Sequence, residues 1–305
     1  MKRKNFFLLL SPLFIFVLFF SVNISYSKFC HELLKDVTVH EENGINTVVN
    51  SFTGNITVSS WDNPDVSMKV YGNPEAKDKI DVESSELNSG VKFDCKERPS
   101  MGSGIQDELN YDLSIEVYVP KNQNVSIKTG SGNLTAENID GKVKLTTGGG
   151  NIDAAEISDN VYGITGGGNI KVDNSRGDIN VITGGGNIVV IDFKGAVTAL
   201  TEGGNIDMKG SNAAVNASTT GGNVTLDYYG SNYGVILNSE SGNINLDLPA
   251  DFKADLNLLT EDGKISSDLA KEKDKNFLMT PLNGGGKKLY CLTATGNIIL
   301  NIKKS

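Results

Sequence analysis

TGGGNIDAAEISDNVYGITGGGNIKVDNSRGDINVITGGGNIVV, residues 147–190, repeats itself every eighteen residues. The string Gly-Asn-aliphatic stands at Asn133, Asn151, Asn169, Asn187, Asn205 and Asn223, and continues less regularly at Asn243, at Lys264 in EDGKI and at Asn297. An early copy is Asn55 in TGNITV. Between these points the apolar residues keep fixed offsets: Ile152 and Ala154, Ile170 and Val172, Ile188 and Val190, Ile206 and Met208, with a second set at Ile179 and Val181, Val197 and Ala199, Val215 and Ala217. Alternation of period two over a few residues, bounded by Gly, Asn and Asp, predicts short strands with one buried face. The density of glycine and β-branched residues excludes helix.

A fixed period of this length is the mark of a repeat architecture. Two strands per period predict that equivalent strands stack in parallel, about 4.8 Å apart. The expected fold is therefore all-β: a single-domain parallel β-solenoid, or β-helix, with coils of about eighteen residues and an N-terminal hairpin excursion. One coil buries too few side chains to fold alone, so the stack must be cooperative and capped at its ends. Side chains at one offset form ladders along the axis. Thr147, Thr165, Thr183, Thr201 and Thr219, followed by Ser239, make one column, and Asn133, Asn151, Asn169, Asn187, Asn205 and Asn223 another. The GGGN segments read as corners, where left-handed backbone is cheap for Gly and tolerable for Asn, and where stacked amides can bond from coil to coil. A phosphate-binding loop is excluded, because neither a GK[ST] signature nor a following helix exists.

Outward from the repeat the pattern loosens. Residues 45–70 predict an opening coil with Val48, Ile56, Val58, Val66, Met68 and Val70 inward and Trp61 covering an end. Residues 71–118 leave the register as an excursion that holds the strand-like VKFDC and the loose ERPSMGSGIQDE, with regularity returning in YDLSIEVYV. Residues 121–305 form the regular coils and the C-terminal closure: LPADFKADLNLLTEDGKISSDLA continues the stack, AKEKDKNFLMTPLNGGGKK interrupts it as a charged loop, and KLYCLTA with GNIILNI closes it.

The first residues, MKRKN, precede the apolar run Phe6 to Phe20, and small residues follow at Ser25 and Ser27. This three-part layout predicts a secretory signal peptide over 1–27 and a mature β-solenoid over 28–305. Lipid attachment at Cys30 is disfavoured by Lys28 and Phe29 before it. No second apolar segment of spanning length follows, so no integral membrane segment is expected after cleavage. Loss of Lys2, Arg3 and Lys4, with no acid, takes the formal charge from −9 to −12, which repels nucleic acid. Cys30, Cys95 and Cys291 allow one disulfide, with all three pairings open, and leave one thiol over.

GNITV followed by SSWDNPDV, then YDLSIEVYVPKNQNVSIKTGSGNLTAENIDGKVKLTTGGGNI, then LPADFKADLNLLTEDGKISSD and a closing TGNIILNI, together resemble the bacterial "putative adhesin" family of β-strand-repeat proteins, a domain-of-unknown-function group. The resemblance covers nearly all of residues 45–303. It implies a β-helix-like fold and an envelope location, and it supplies no catalytic residues.

The residues themselves offer little chemistry. Only His31 and His40 exist, both before the repeats, which argues against a histidine-based triad. The spacing of the cysteines does not fit zinc, and aliphatic residues after GGGN do not fit a calcium repeat. No catalytic residue, metal or cofactor is expected. Asp153 shares an offset with Asp207, and Asp173 with Asp227; each pair is three coils apart, about 14 Å. That is wider than the roughly 5 to 9.5 Å of glycosidase carboxyl pairs. Arg176-Gly177-Asp178 spells an integrin-type tripeptide, but Gly177 aligns with Gly141 and Gly195, so the repeat itself demands a turn there. Tyr228, Tyr229 and Tyr233, in DYYGSNYG, form the one aromatic cluster of the repeats and are the candidate ligand or partner contact; packing over a two-residue insertion is the alternative. The reading is a non-enzymatic exported envelope protein, an adhesin or binding scaffold with a protein or glycan partner. A polysaccharide-binding or polysaccharide-degrading β-helix enzyme is the alternative.

Overall fold

The computed structural model describes residues 31–40, 45–98, 112–267, 269 and 276–303. The expected signal peptide, Cys30, most of ERPSMGSGIQDE and the charged AKEKDK segment lie outside the described residues. Two sheets of thirteen strands face each other, and the described residues contain no α-helix, only a 3₁₀ turn at Pro74–Ala76. In the regular part each coil gives one strand to each sheet. Ile152–Ile157 lies in sheet A, Val161–Thr165 in sheet B, and Ile170–Asp173 returns to sheet A. Parallel pairing carries an eighteen-residue register: Ile152 faces Ile170, then Ile188, then Ile206, all at most 1% exposed. Val161, Ile179, Val197 and Val215 do the same in sheet B. The β-solenoid expected from the repeat is the observed fold.

The corners explain the repeated letters. Each threonine of the column points inward, and its hydroxyl closes the corner in two directions. Thr183 Oγ1 donates to the carbonyl of Gly168 in the preceding coil at 2.7 Å and accepts the N–H of Gly186 at 3.3 Å. The same pair of bonds recurs at Thr147, Thr165, Thr201 and Thr219. Ser239 reproduces it with both bonds at 2.8 Å. Thr183→Val keeps the shape but leaves a part-buried carbonyl and a buried N–H without the hydroxyl. It is expected to cost about 2 kcal/mol in urea denaturation, whereas Thr183→Ser, which keeps the hydroxyl, should cost much less.

The asparagine ladder is real, but its bond differs from the expected amide stack. Each amide oxygen accepts the backbone N–H of the next asparagine: Asn169 Nα–H to Asn151 Oδ1, Asn187 to Asn169 and Asn205 to Asn187, all at 2.8 Å. The glycine before the asparagine is left-handed only in the first two of these corners, at Gly54 and Gly132 with φ of 107° and 117°. The left-handed non-glycine residues Asn138, Glu156, Asn174 and Asp192, with φ of 57°, 56°, 48° and 53°, sit at the opposite corner, where sheet A ends. Glycine precedes each asparagine for another reason: a Cβ at Gly150, Gly168, Gly186 or Gly204 would lie 2.0–2.1 Å from the carbonyl oxygen of the equivalent glycine one coil earlier.

The ends depart from chain order. The layer made by Asn46–Ser51 and Asn55–Trp61 is not the first of the stack. It lies between the layer of Gly90–Glu97 and Ser114–Pro120 on one side and that of Asn124–Thr129 and Leu134–Ile139 on the other. The opposite end mirrors this. Lys288–Thr293 and Ile298–Ile302 do not close the solenoid; they slide between the layer of Val235–Ser239 and Ile244–Leu248 and that of Ala254–Thr260 and Ile265–Ser267. The asparagine ladder runs through both insertions, from Asn55 Oδ1 to the N–H of Asn133 and from Asn243 Oδ1 to the N–H of Asn297, each at 2.8 Å.

Antiparallel strands finish the stack: Val66–Gly72 and Glu32–Val39 on sheet A, Ile80–Leu87 and Phe277–Leu282 on sheet B. Residues 66–72 therefore belong to a cap and not to an opening coil. Ile80–Leu87 and Gly90–Glu97 form the hairpin excursion. In the first strand the inward residue is Val49, beside buried Thr47, while Val48 is only half-buried. Trp61 stacks on Tyr118 with ring centroids 5.4 Å apart.

Candidate binding face and corner cleft

Over part of the stack the outer faces of the two sheets differ in charge. On sheet B, across the five successive strands from Val161–Thr165 to Val235–Ser239, no outward side chain is charged. The outward residues are Tyr162 and Ile164, Asn180 and Ile182, Thr198 and Leu200, Asn216 and Ser218, Ile236 and Asn238. Ile164, Ile182 and Leu200 are neighbours in one column, and Tyr162, Ile164, Ile182 and Ile236 are 38–44% exposed. The next strand continues with Tyr290 and Leu292 and carries Lys288 at its rim. Sheet A instead presents Asp153, Lys171, Asp173, Asp207, Lys209, Asp227 and Asp247, with ion pairs Lys171–Asp173 at 3.4 Å and Lys303–Asp227.

The tyrosine cluster divides among three environments. Tyr228 is fully buried: its ring meets Phe252 edge-on at 5.5 Å, and its hydroxyl accepts the N–H of Ala213 and lies 2.8 Å from the carbonyls of Ala213 and Ser231. It is a core residue, so its place in the candidate contact is corrected. The coil from Asn223 to Asn243 is two residues longer than the coil before it, and Tyr228 packs inside that longer coil. Burial pushes the Tyr228 phenol above its ordinary value, partly offset by the bond to the Ala213 backbone. Tyr229 turns toward sheet A and donates to Asp192 at 3.0 Å. Tyr233 is 57% exposed at the corner leading into sheet B. Beside it lies a cleft of about 320 Å³ lined by Ala196, Ala214, Gly234, Asn216, Ile236 and Lys288.

The family model described as Toastrack DUF4097 matches residues 35–301. The chain belongs to that family. The Toastrack DUF4097 domain is a domain of unknown function, and the resemblance read from the corner and strand motifs is thereby shown. Among solved structures, a "putative adhesin" from Bacteroides fragilis is 13% identical, with 88% of this chain and 97% of that one covered and a TM-score of 0.36. A "putative cell adhesion protein" from Clostridium sporogenes is 12% identical over 88% of this chain and 99% of that one, with a TM-score of 0.26. Likenesses this low carry no argument about the site. A search of curated proteins finds no match.

Within this Toastrack chain the carboxylate columns hold one pair that the period concealed. Asp153, Lys171, Val189 and Asp207 follow one another as expected. Asp227 and Asp247, however, are register partners in adjacent coils. The longer coil puts them twenty residues apart instead of eighteen, which hid their alignment. Lys209 and Lys303 reach Asp227, and Asn301 donates to Asp247 at 2.9 Å, so the pair is engaged within the open face of sheet A.

His31 and His40 pair with Asp112 and Asp65 at 2.9 and 2.5 Å and tie down both ends of the Glu32–Val39 strand. Asp178 of the Arg-Gly-Asp tripeptide accepts the N–H of Ala196 as a rung of the corner. Cys95 and Cys291 are buried free thiols near opposite ends of the stack, which removes a bond between them from the three possible pairings. Burial pushes both thiols up. No helix among the described residues is long and apolar enough to cross a membrane.

Proposed function

We propose that the chain is an exported, non-enzymatic binding protein of the bacterial envelope, residues 28–305 acting as one elongated unit after loss of 1–27, and that sheet B is the face it presents to a protein or glycan partner. The observation that supports this is the five-strand run without an outward charge on a chain whose net charge is −9. Exposed aliphatic and aromatic side chains on an uncharged face are characteristic of interaction surfaces, and a rigid stack presents them without ordering costs. Tyr233 lies on the border of this face and Tyr229 on that of the other, so of the two Tyr233 is the better contact.

The test is retention of the purified protein on whole cells and envelope extracts. Ile164→Lys with Ile182→Lys places two charges on the first two strands of the face, at exposed positions that the fold tolerates. The double variant is expected to lose at least about tenfold in retention, with an unchanged melting curve. Equal retention by the variant overturns the assignment of the face. Release of sugars or unsaturated products from a polysaccharide panel overturns the non-enzymatic reading.

A further inference from the structure

The corner that precedes each sheet-B strand changes character along the stack. At first it carries its own ladder: Asn124 Oδ1 accepts the N–H of Lys142 at 3.0 Å, Asn160 Oδ1 that of Asp178 at 2.9 Å, and Asp178 Oδ1 that of Ala196 at 3.0 Å. There the ladder stops. The equivalent positions in the following coils are Ala196, Ala214 and Gly234, whose side chains can neither continue it nor fill the space. The longer coil then sets Tyr233 immediately before Gly234, and Lys288 stands one layer further on. Shrinking side chains make the floor, and the projecting tyrosine makes a wall.

We propose that this cleft binds one pyranose unit of an acidic glycan, its ring against Tyr233 and its carboxylate toward the ammonium group of Lys288. At about 320 Å³ the cleft lies at the small end of ligand pockets, a size suited to a single ring. A pyranose offers an apolar C–H face for an aromatic wall and for Ile236, and hydroxyls for Asn216 and Thr198, which border the cleft on the sheet side. Charge selects the acidic sugar. Lys288 is the one cation of the cleft lining, and none of its lining residues is a carboxylate. The neighbouring acids are directed elsewhere: Asp178 is held by the N–H of Ala196, and Asp255, the register partner of Lys288, turns its Oδ1 to the Gly285 turn. Lys288 Nζ rests 4.6 Å from the Tyr290 ring centre, a contact that positions the ammonium without neutralising it.

This inference rests on the binding reading above but not on the Ile164 and Ile182 column of sheet B, and the test separates them. Tetrasaccharides of galacturonate, of guluronate and of hyaluronan are titrated calorimetrically into the full-length mature protein beside neutral tetrasaccharides of galactose and glucose. At least one uronate is expected to bind about tenfold or more tighter than its neutral counterpart. Lys288→Gln should bring the two together. Tyr233→Ala should abolish both, and Tyr233→Phe should keep both. The Ile164→Lys/Ile182→Lys variant should bind the uronate normally even while it loses cell retention. Failure of every uronate, equal affinity for neutral sugars, or indifference to Tyr233→Ala overturns the proposal and leaves the retention test of the face standing on its own.

Discussion

Gly186→Ala is expected to destabilise the protein by about 4 kcal/mol, a loss in the range reserved for direct backbone conflicts. The added methyl would lie 2.1 Å from the carbonyl oxygen of Gly168 and 2.4 Å from its carbon. Neither atom belongs to a flexible side chain, so relief requires the two coils to separate. Separation breaks what the corner holds together, since Gly168 accepts from Thr183 while Gly186 accepts from Thr201 and donates to Thr183. The neighbouring Gly185 is the control: a Cβ there meets nothing within 4 Å, and its φ is not left-handed. Gly185→Ala should therefore stay within about 0.5 kcal/mol of the parent. Thermal melts should separate the two variants by roughly 10 °C. Equal melting temperatures would mean that the coils are farther apart than the corner geometry requires.

Tyr228→Phe should cost about 3 kcal/mol, because it removes one hydroxyl and orphans the N–H of Ala213 and a carbonyl in a dry interior. Tyr229→Phe, one residue later on the surface, should cost no more than about 0.5 kcal/mol. The raised Tyr228 phenol supplies stability that is complete below the ordinary tyrosine value of about 10 and is lost as the pH rises through its higher folded value. Urea midpoints measured at neutral pH and above pH 10 should therefore fall for the parent and converge on the Tyr228→Phe variant. A parallel pH response of the two proteins would assign the alkaline loss to other groups.

These two expectations draw on different kinds of legibility. Gly186 was visible in the sequence as a corner because its letter recurs every eighteen residues, although its reason is close approach of backbones and not left-handed geometry. The fate of Tyr228 was not visible. Three tyrosines within six residues look alike on the page, and only the path of the longer coil sends one inward, one toward Asp192 and one over the cleft. Asp227 and Asp247 show the same limit, since two inserted residues moved a real neighbour out of the expected offset. The cleft itself needed both sources: Ala196 and Ala214 share the offset that the repeat reveals, but Gly234 lies twenty residues on, and it and the Tyr233 wall come from the coil that breaks the repeat.

By itself the sequence determined the period, the inward aliphatic columns and the threonine and asparagine ladders. Each follows from a local rule, that a residue one period away lies directly above. The tertiary structure alone decided the order of the layers at both ends. The bond between Asn55 and Asn133, seventy-eight residues apart, has the same 2.8 Å length as that between Asn151 and Asn169, eighteen apart. A corner of this shape accepts any other corner of the same shape, so the repeat says which segments are layers without saying which layer each one touches.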